Sequence, residues 1–173
     1  MNVADLKDHI RNIPDFPRPG IMFRDITTLL LNPDAMKTVL DALQEHFQES
    51  GANKVAGIES RGFIFASALA DRMDLGLVLI RKSGKLPGDV HVESYDLEYG
   101  TDTLELHKDS ISENDKIILI DDLLATGGTM AAAVRLVNKA GGNVAGIGFV
   151  IELDALGGRK DIQDQEILSL IHY

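Results

Sequence analysis

The sequence predicts an α/β fold with a mostly parallel central sheet flanked by helices. Short apolar runs at Val55–Ile58, Leu75–Ile80, Ile117–Ile120 and Val144–Ile151 alternate with stretches of helical period, as buried parallel strands joined by crossover helices require. The chain has 173 residues, 45% hydrophobic and 25% charged, the composition and length of one ordinary globular domain with a sizeable core. We read residues 1–173 as that single domain, without internal repeat or linker.

In chain order, Leu6, Ile10 and Ile13 recur at helical spacing after Asn2 and predict a short first helix. Pro14, Pro17, Pro19 and Gly20 then predict a stiff irregular loop. Asn32 before Pro33 supplies an N-cap with proline at the first helical position, Met36, Val39, Leu40, Leu43 and Phe47 mark one apolar face, and Gly51 stands where the helix ends. A helix over about 62–73 follows the strand at Val55–Ile58. Between Arg81 and Lys108, Gly84, Pro87, Gly88 and Gly100 punctuate a rough polar and apolar alternation, which predicts a long flexible loop followed by antiparallel strands. The regular pattern resumes with Ile117–Ile120, a helix over about 129–140 stopped by Gly141 and Gly142, the strand Val144–Ile151 and a last strand near Ile167–Ile171.

Composition excludes several functions. The formal charge is −10, so most of the surface repels phosphate backbones, no local basic patch overcomes that field, and nucleic acid is not an expected partner. With no cysteine, a disulfide framework, a thiolate zinc site and a cysteine nucleophile are ruled out together. The first residues carry Asp5, Lys7, Asp8 and Arg11 rather than the apolar stretch of a secretory signal. Val144–Ile151, the longest apolar run, is far short of the roughly 20 residues that span a bilayer. A soluble, cytoplasmic protein without a membrane partner is the expectation. His9, His46, His91, His107 and His172 lack ligand spacing and are assigned no metal.

The chemistry is concentrated in Ile117-Ile118-Leu119-Ile120-Asp121-Asp122-Leu123-Leu124-Ala125-Thr126-Gly127-Gly128-Thr129. The apolar residues predict a buried strand, and the two acids are read as its end, at the edge where open α/β sheets hold ligands. Ala125, Thr126, Gly127, Gly128 and Thr129 would present backbone N–H groups and two hydroxyls at the positive end of the next helix. No lysine follows the glycines, as a Walker loop needs, and the three-glycine dinucleotide spacing is absent. The acids would otherwise cap the turn and Thr129 the helix, but adjacent buried carboxylates without a partner are costly. A ligand carrying hydroxyls or a metal as well as phosphate satisfies both halves, and a ribose phosphate is such a ligand.

With this motif the chain resembles the type I phosphoribosyltransferases, whose phosphoribosyl pyrophosphate (PRPP) loop joins an apolar strand, two acids and Thr-Gly-Gly-Thr. It is most similar to the adenine-using members: Asp15-Phe16-Pro17 with Gly20, Phe23-Arg24-Asp25-Ile26, Ser60-Arg61-Gly62-Phe63, Arg81-Lys82 with Gly84-Lys85-Leu86-Pro87-Gly88, and Tyr95 with Leu97-Glu98-Tyr99-Gly100 agree in order. The resemblance covers Asp15 to Leu153. It implies the type I phosphoribosyltransferase fold, with a small hood and a flexible antiparallel excursion over about 82–100. The implied reaction is Mg²⁺-dependent transfer of the phosphoribosyl group from PRPP to N9 of adenine, a purine-salvage step giving AMP and pyrophosphate. Its transition state is oxocarbenium-like and needs no covalent nucleophile. A homodimer is also implied.

On the same footing, Asp121 and Asp122 would hold the ribose hydroxyls, Asp122 with Mg²⁺, while Ala125 to Thr129 bind the 5′-phosphate. Arg61, with backbone N–H groups of Ser60 and Gly62, would meet the pyrophosphate, joined by Arg81, Lys82 and Lys85. Glu98 would accept or share a purine ring proton, and Tyr99 would close over the site, so that Glu98, Arg61, Lys85 and Tyr99 form the implied catalytic set. Phe23 and Leu153 would sandwich the base, with the backbone around Met22 and Arg24 reading its edge. Taken singly, Arg61 reads as a surface ion pair, Lys85 as a solvated loop residue, and Phe23 as core. A transferase for another base shares the PRPP loop. A PRPP-sensing regulator would need a DNA-binding extension, and a phospho-receiver domain carries its acids after the first strand rather than late in the chain.

Overall fold

The apolar runs become strands of a sheet that has seven strands among the described residues. The structure is a computed structural model and describes residues 1–96 and 100–173. Leu97 and the expected catalytic Glu98 and Tyr99 lie outside the described residues. The chain forms two compact units, Met1–Ala42 and Leu43–Tyr173.

In the first unit the predicted opening helix forms as a 3₁₀-helix, Val3–His9, that ends before Ile10 and Ile13. Asn2 and Asp5 close it reciprocally, each side chain accepting from the other's backbone N–H at 3.0 Å. Arg11–Pro14 (β1) then pairs antiparallel with Met22–Asp25 (β2), setting Ile13 opposite Phe23. Ile13 and Pro14 are therefore strand residues, Pro14 at the strand's end where its missing N–H costs least. An unpredicted helical turn, Thr27–Leu30 (α1), follows, tied by the Asp25 carboxylate, which accepts from the Thr27 N–H at 2.9 Å and its hydroxyl at 2.8 Å. Helix α2, Pro33–Phe47, starts as predicted: Asn32 Oδ1 accepts from the N–H groups of Asp34 and Ala35 at 3.0 and 3.1 Å.

The second unit contains β3 (Lys54–Ile58), α3 (Gly62–Met73), β4 (Gly76–Lys82), β5 (Val90–Asp96), β6 (Thr101–His107), β7 (Lys116–Leu124), α4 (Gly128–Lys139), β8 (Asn143–Glu152) and β9 (Ile167–His172). β3, β4, β7, β8 and β9 are parallel, whereas β6 runs antiparallel to β4 and β5. The loop predicted from Arg81 is shorter than expected. Arg81 and Lys82 continue β4 and pair with Glu105 and Leu104, and residues 90–96 pair along their whole length with β6. The turn between is held by Glu105, which accepts from the Ser83 hydroxyl at 3.0 Å and the Gly84 N–H at 3.1 Å.

One sheet face packs on α4: Ile58, Val78, Ile80, Leu104, Leu119 and Phe149 share a buried cluster with Met130, Ala133, Leu136 and Val137. On the other face glycines admit the covering side chains. A Cβ on Gly57 would lie 2.7 Å from Ala66 Cβ, and one on Gly148 2.9 Å from Leu43 Cδ2. Burial of these apolar surfaces is the main stabilising contribution.

At the sheet edge where β3 and β7 begin, Asp115 is nearly buried. It accepts from Lys54 Nζ at 2.6 Å, Asn53 Nδ2 at 2.7 Å and the Ser112 N–H at 2.7 Å. Lys54, the Ser112 N–H and Asn53 together depress its pKa from 3.8 to about 2. Because the folded value is the lower one, this stabilisation is complete above pH 4 and is lost as pH falls toward 2. Asp115→Asn is expected to cost about 2 kcal/mol at neutral pH and to flatten the acid limb of the stability curve between pH 4 and 2. Urea unfolding at pH 7 and pH 3 checks this; identical acid dependence in both proteins would remove Asp115 from that role.

Candidate active site

The strand order reverses at β3 and β7, since β4 lies on one side of this pair and β8 on the other. The crevice beyond the carboxyl ends at such a reversal is where open sheets bind ligands. A cleft of about 530 Å³ opens there, lined by Glu59, Ser60 and Arg61 after β3, by Lys82, Tyr95 and Asp102, and by Asp121, Asp122, Ala125 and Thr129. The Glu59–Ser60 peptide in its wall is cis. The acids do not end their strand as predicted: β7 runs on to Leu124, with Asp121, Leu123 and Leu124 paired to Phe149, Ile151 and Glu152. The ladder to β8 keeps satisfying the backbone past the last apolar residue of the predicted run.

Gly62 opens α3 against β7. A Cβ there would lie 2.8 Å from the Ile120 carbonyl and 2.9 Å from Asp121 Oδ1. That close approach sets Arg61 Nε 2.9 Å from Asp122 Oδ2. Burial, then the neighbouring Asp122 charge, pushes the Asp121 carboxyl well above the usual range. Asp122, 4% exposed, is also raised by burial, against which Arg61 acts. Such a pair gains from any added cation or hydroxyl donor. Its donors are hard carboxylate oxygens, which suit Mg²⁺.

Ala125, Thr126, Gly127 and Thr129 line an adjoining cavity of about 70 Å³, compact enough for a single anion, at the N-terminus of α4. Gly127 caps the helix at φ +89°, a conformation that favours glycine. Gly158 backs the loop: a Cβ on it would stand 2.3 Å from the Ala125 carbonyl, and one on Gly127 2.1 Å from the Gly158 carbonyl. Gly128 starts the helix beneath the Tyr95 ring, 3.5 Å from Cδ2 to a Cβ placed there.

The expected pyrophosphate cations are arranged around carboxylates. Glu59 holds Arg81 Nε at 3.2 Å and Lys85 Nζ at 3.7 Å and accepts from the Lys82 N–H at 3.0 Å. Burial alone would raise its pKa, but the Lys82 N–H, Arg81 and Lys85 bring it below the ordinary value. Lys82 Nζ pairs with Asp102 at 3.1 Å. Lys82 lines the cleft, and Glu59, which also lines it, holds Arg81 and Lys85. Three contributors were not singled out from the sequence, Glu59, Asp102 and Gly158, and Tyr95 was quoted for the resemblance without a role. Glu59 could have been found as the acid between an apolar strand and Arg61; Gly158 carries no local signal.

The expected base-binding residues fall in both units. Met22, Phe23 and Arg24 form β2 in the first, where Phe23 meets Phe16 edge-on at 5.1 Å. Leu153 follows β8 in the second, its N–H donating to the Leu124 carbonyl at 2.9 Å. A separate cavity of about 350 Å³, between residues 87–89 and 107–109, receives none of the expected residues.

The phosphoribosyl transferase domain matches residues 25–172, and the chain belongs to that family. An adenine phosphoribosyltransferase of Solibacter usitatus is 53% identical over 99% of both chains. The adenine phosphoribosyltransferase structure from Thermoanaerobacter pseudethanolicus is 43% identical, covers 99% of this chain and 100% of its own, and superposes with a TM-score of 0.96. That from Saccharomyces cerevisiae, complexed with an imino-altritol bisphosphate and adenine, is 38% identical over 97% of each chain, with a TM-score of 0.92. Within the family, this chain belongs with the adenine phosphoribosyltransferases.

Gly158→Ala is expected to displace Ala125 from the loop and weaken ribose 5-phosphate binding about tenfold, ~1.4 kcal/mol. Calorimetric titration checks it; wild-type affinity would show that Gly158 does not shape the loop.

Proposed function

We propose that this chain transfers the phosphoribosyl group of PRPP to N9 of adenine, giving AMP and pyrophosphate in purine salvage. The observation that carries the reading is the half-buried Asp121 beside the buried Asp122, next to the Ala125–Thr129 loop at the sheet's reversal point. The loop takes the 5′-phosphate on its N–H groups and the Thr126 and Thr129 hydroxyls. Asp121 and Asp122 accept from the ribose hydroxyls and set negative charge beside a sugar that becomes cationic in the transition state. Arg61, Arg81, Lys82 and Lys85 serve the departing pyrophosphate, leaving the carboxylates that hold them for a ligand of higher charge density.

Asp122 would hold Mg²⁺, with most of the ion's shell coming from substrate and water. When bound, the ion supplies neutralisation of the leaving pyrophosphate's charge. Glu98 is the proposed acceptor of the purine ring proton and Tyr99 its companion, both on the family resemblance of Leu97-Glu98-Tyr99-Gly100. Met22, Phe23, Arg24 and Leu153 are proposed as base-binding residues, on the family resemblance alone. The cytoplasm is the proposed setting, in keeping with a cysteine-free composition. Among the described residues no helix is long and apolar enough to cross a membrane.

A homodimer is also proposed. Leu77 and Leu79 of β4 pair in register with Val55 and Gly57 and so lie on the face that α3 covers, yet they are 42% and 40% exposed, with Ile64 of α3 at 38%. Apolar residues on a parallel sheet ordinarily find cover, and a second copy supplies it.

With PRPP and Mg²⁺, adenine alone among adenine, hypoxanthine, guanine, xanthine and orotate is expected to yield nucleotide, and Glu98→Gln to lower turnover more than PRPP affinity. Chromatography of the products checks both; nucleotide from another base would overturn the base assignment. Sedimentation should show a dimer that Leu79→Glu converts to monomer, and a monomeric wild-type protein would refute the dimer.

A further inference from the structure

β8 leads to β9 through two short 3₁₀ turns, Asp154–Leu156 and Gly158–Ile162. Among residues 153–161, all of them described, Gly158 alone is buried, so apolar burial does little to hold this connection before Ile162. Its start is tied through the backbone. The Leu153 N–H donates to the Leu124 carbonyl at 2.9 Å, the Asp154 N–H to the Tyr173 carbonyl at 2.9 Å, and the Tyr173 N–H to the Glu152 carbonyl at 3.0 Å. Its far side is tied by charge. Arg159 Nε donates to Glu152 Oε1 at 2.8 Å and Oε2 at 3.0 Å, and Nη2 donates to Oε2 at 2.7 Å and to Ser169 Oγ on β9 at 3.3 Å. The Arg159 hydrogen bonds outweigh burial and hold the Glu152 carboxyl below its usual range. A guanidinium forked on a buried carboxylate is the strong form of ion pair.

Gly158, the residue before Arg159, is where the connection meets the glycine-rich loop, too close to the Ala125 carbonyl and to Gly127 for a Cβ on either glycine. Glu152 is paired in the ladder with Leu124, the residue before that loop. The ion pair therefore joins the strand end from which the loop departs to the glycine that backs it. Among the described residues lining the cleft and its adjoining cavity, neither Glu152 nor Arg159 is present, so the pair acts through what it holds. We propose that Glu152 and Arg159 are a positioning pair that clasps the β8–β9 connection, keeps Gly158 against the Ala125–Thr129 loop, and so sets the backbone N–H groups that receive the 5′-phosphate. This rests on the reading of the loop as the 5′-phosphate site.

The test joins calorimetric titration of the full chain, with ribose 5-phosphate and separately with pyrophosphate, to amide hydrogen exchange of the free protein. Glu152→Met removes the clasp at nearly constant shape. The Arg159 side chain, 44% exposed, then turns to solvent, and no buried charge is orphaned. This variant is expected to weaken ribose 5-phosphate about tenfold and to leave pyrophosphate affinity unchanged. Exchange should quicken across residues 125–129 while β3 and β7 keep their protection. A pair with a merely structural role would speed exchange in the central strands as well and leave ribose 5-phosphate affinity as it was. Arg159→Met should repeat the loss and serves if the Glu152 variant fails to fold, whereas Arg159→Lys, which keeps the charge without the fork, should retain most of the affinity. If the wild type binds ribose 5-phosphate, three results each refute the clasp and leave the loop assignment standing: wild-type affinity or unchanged loop exchange in the methionine variants, an equal loss for both ligands, or a lysine variant as weak as Arg159→Met. If the wild type does not bind ribose 5-phosphate, the loop assignment falls and takes this proposal with it.

Discussion

The site depends on how closely α3 approaches the two central strands. Gly57 and Gly62 leave no room for a Cβ against Ala66, the Ile120 carbonyl and Asp121, and that closeness lets Arg61 reach across the crevice to Asp122. A larger side chain at either glycine would lift the helix start and separate guanidinium from carboxylate. The ion pair then offsets part of the burial cost of Asp122, while burial and the Asp122 charge hold the Asp121 carboxyl well above the usual range. An arrangement of backbone packing thereby becomes an electrostatic one, with partial negative charge waiting where a ribose would place its hydroxyls.

A second theme is that the expected anion-binding cations already have partners. Arg61 is held by Asp122, Arg81 and Lys85 by Glu59, and Lys82 by Asp102. In a chain of charge −10 this keeps the local field from collecting stray anions. A ligand displaces these carboxylates only by offering more negative charge per contact, as a pyrophosphate does. The carboxylates also hold the cations near their working positions, which lowers the entropy lost on binding.

Much of this was legible in the linear sequence. Strand and helix periods survive because burial on one or both faces dictates them locally, and the N-cap at Asn32 and the C-terminal glycines act within a few residues. The loop from Asp121 to Thr129 was legible for the same reason: its acids, glycines and threonines stand at consecutive positions. The first unit was misread because the apolar spacing of Leu6, Ile10 and Ile13 fits a helix as well as a 3₁₀ turn followed by a strand. Only the partner strand at Met22–Asp25 decides between them.

By itself, then, the chain's order of residues determined the α/β class, the glycine-rich loop, the acid pair and the family. Tertiary structure alone decided that β7 continues past its acids, that Arg81 and Lys82 belong to a strand, and that Gly158, 31 positions after Gly127, backs the loop. It also decided which carboxylate holds which cation. Local preferences act over a turn or a ladder rung, whereas these pairings join residues far apart in the chain, and only the closure of the sheet brings their atoms within a hydrogen bond of one another.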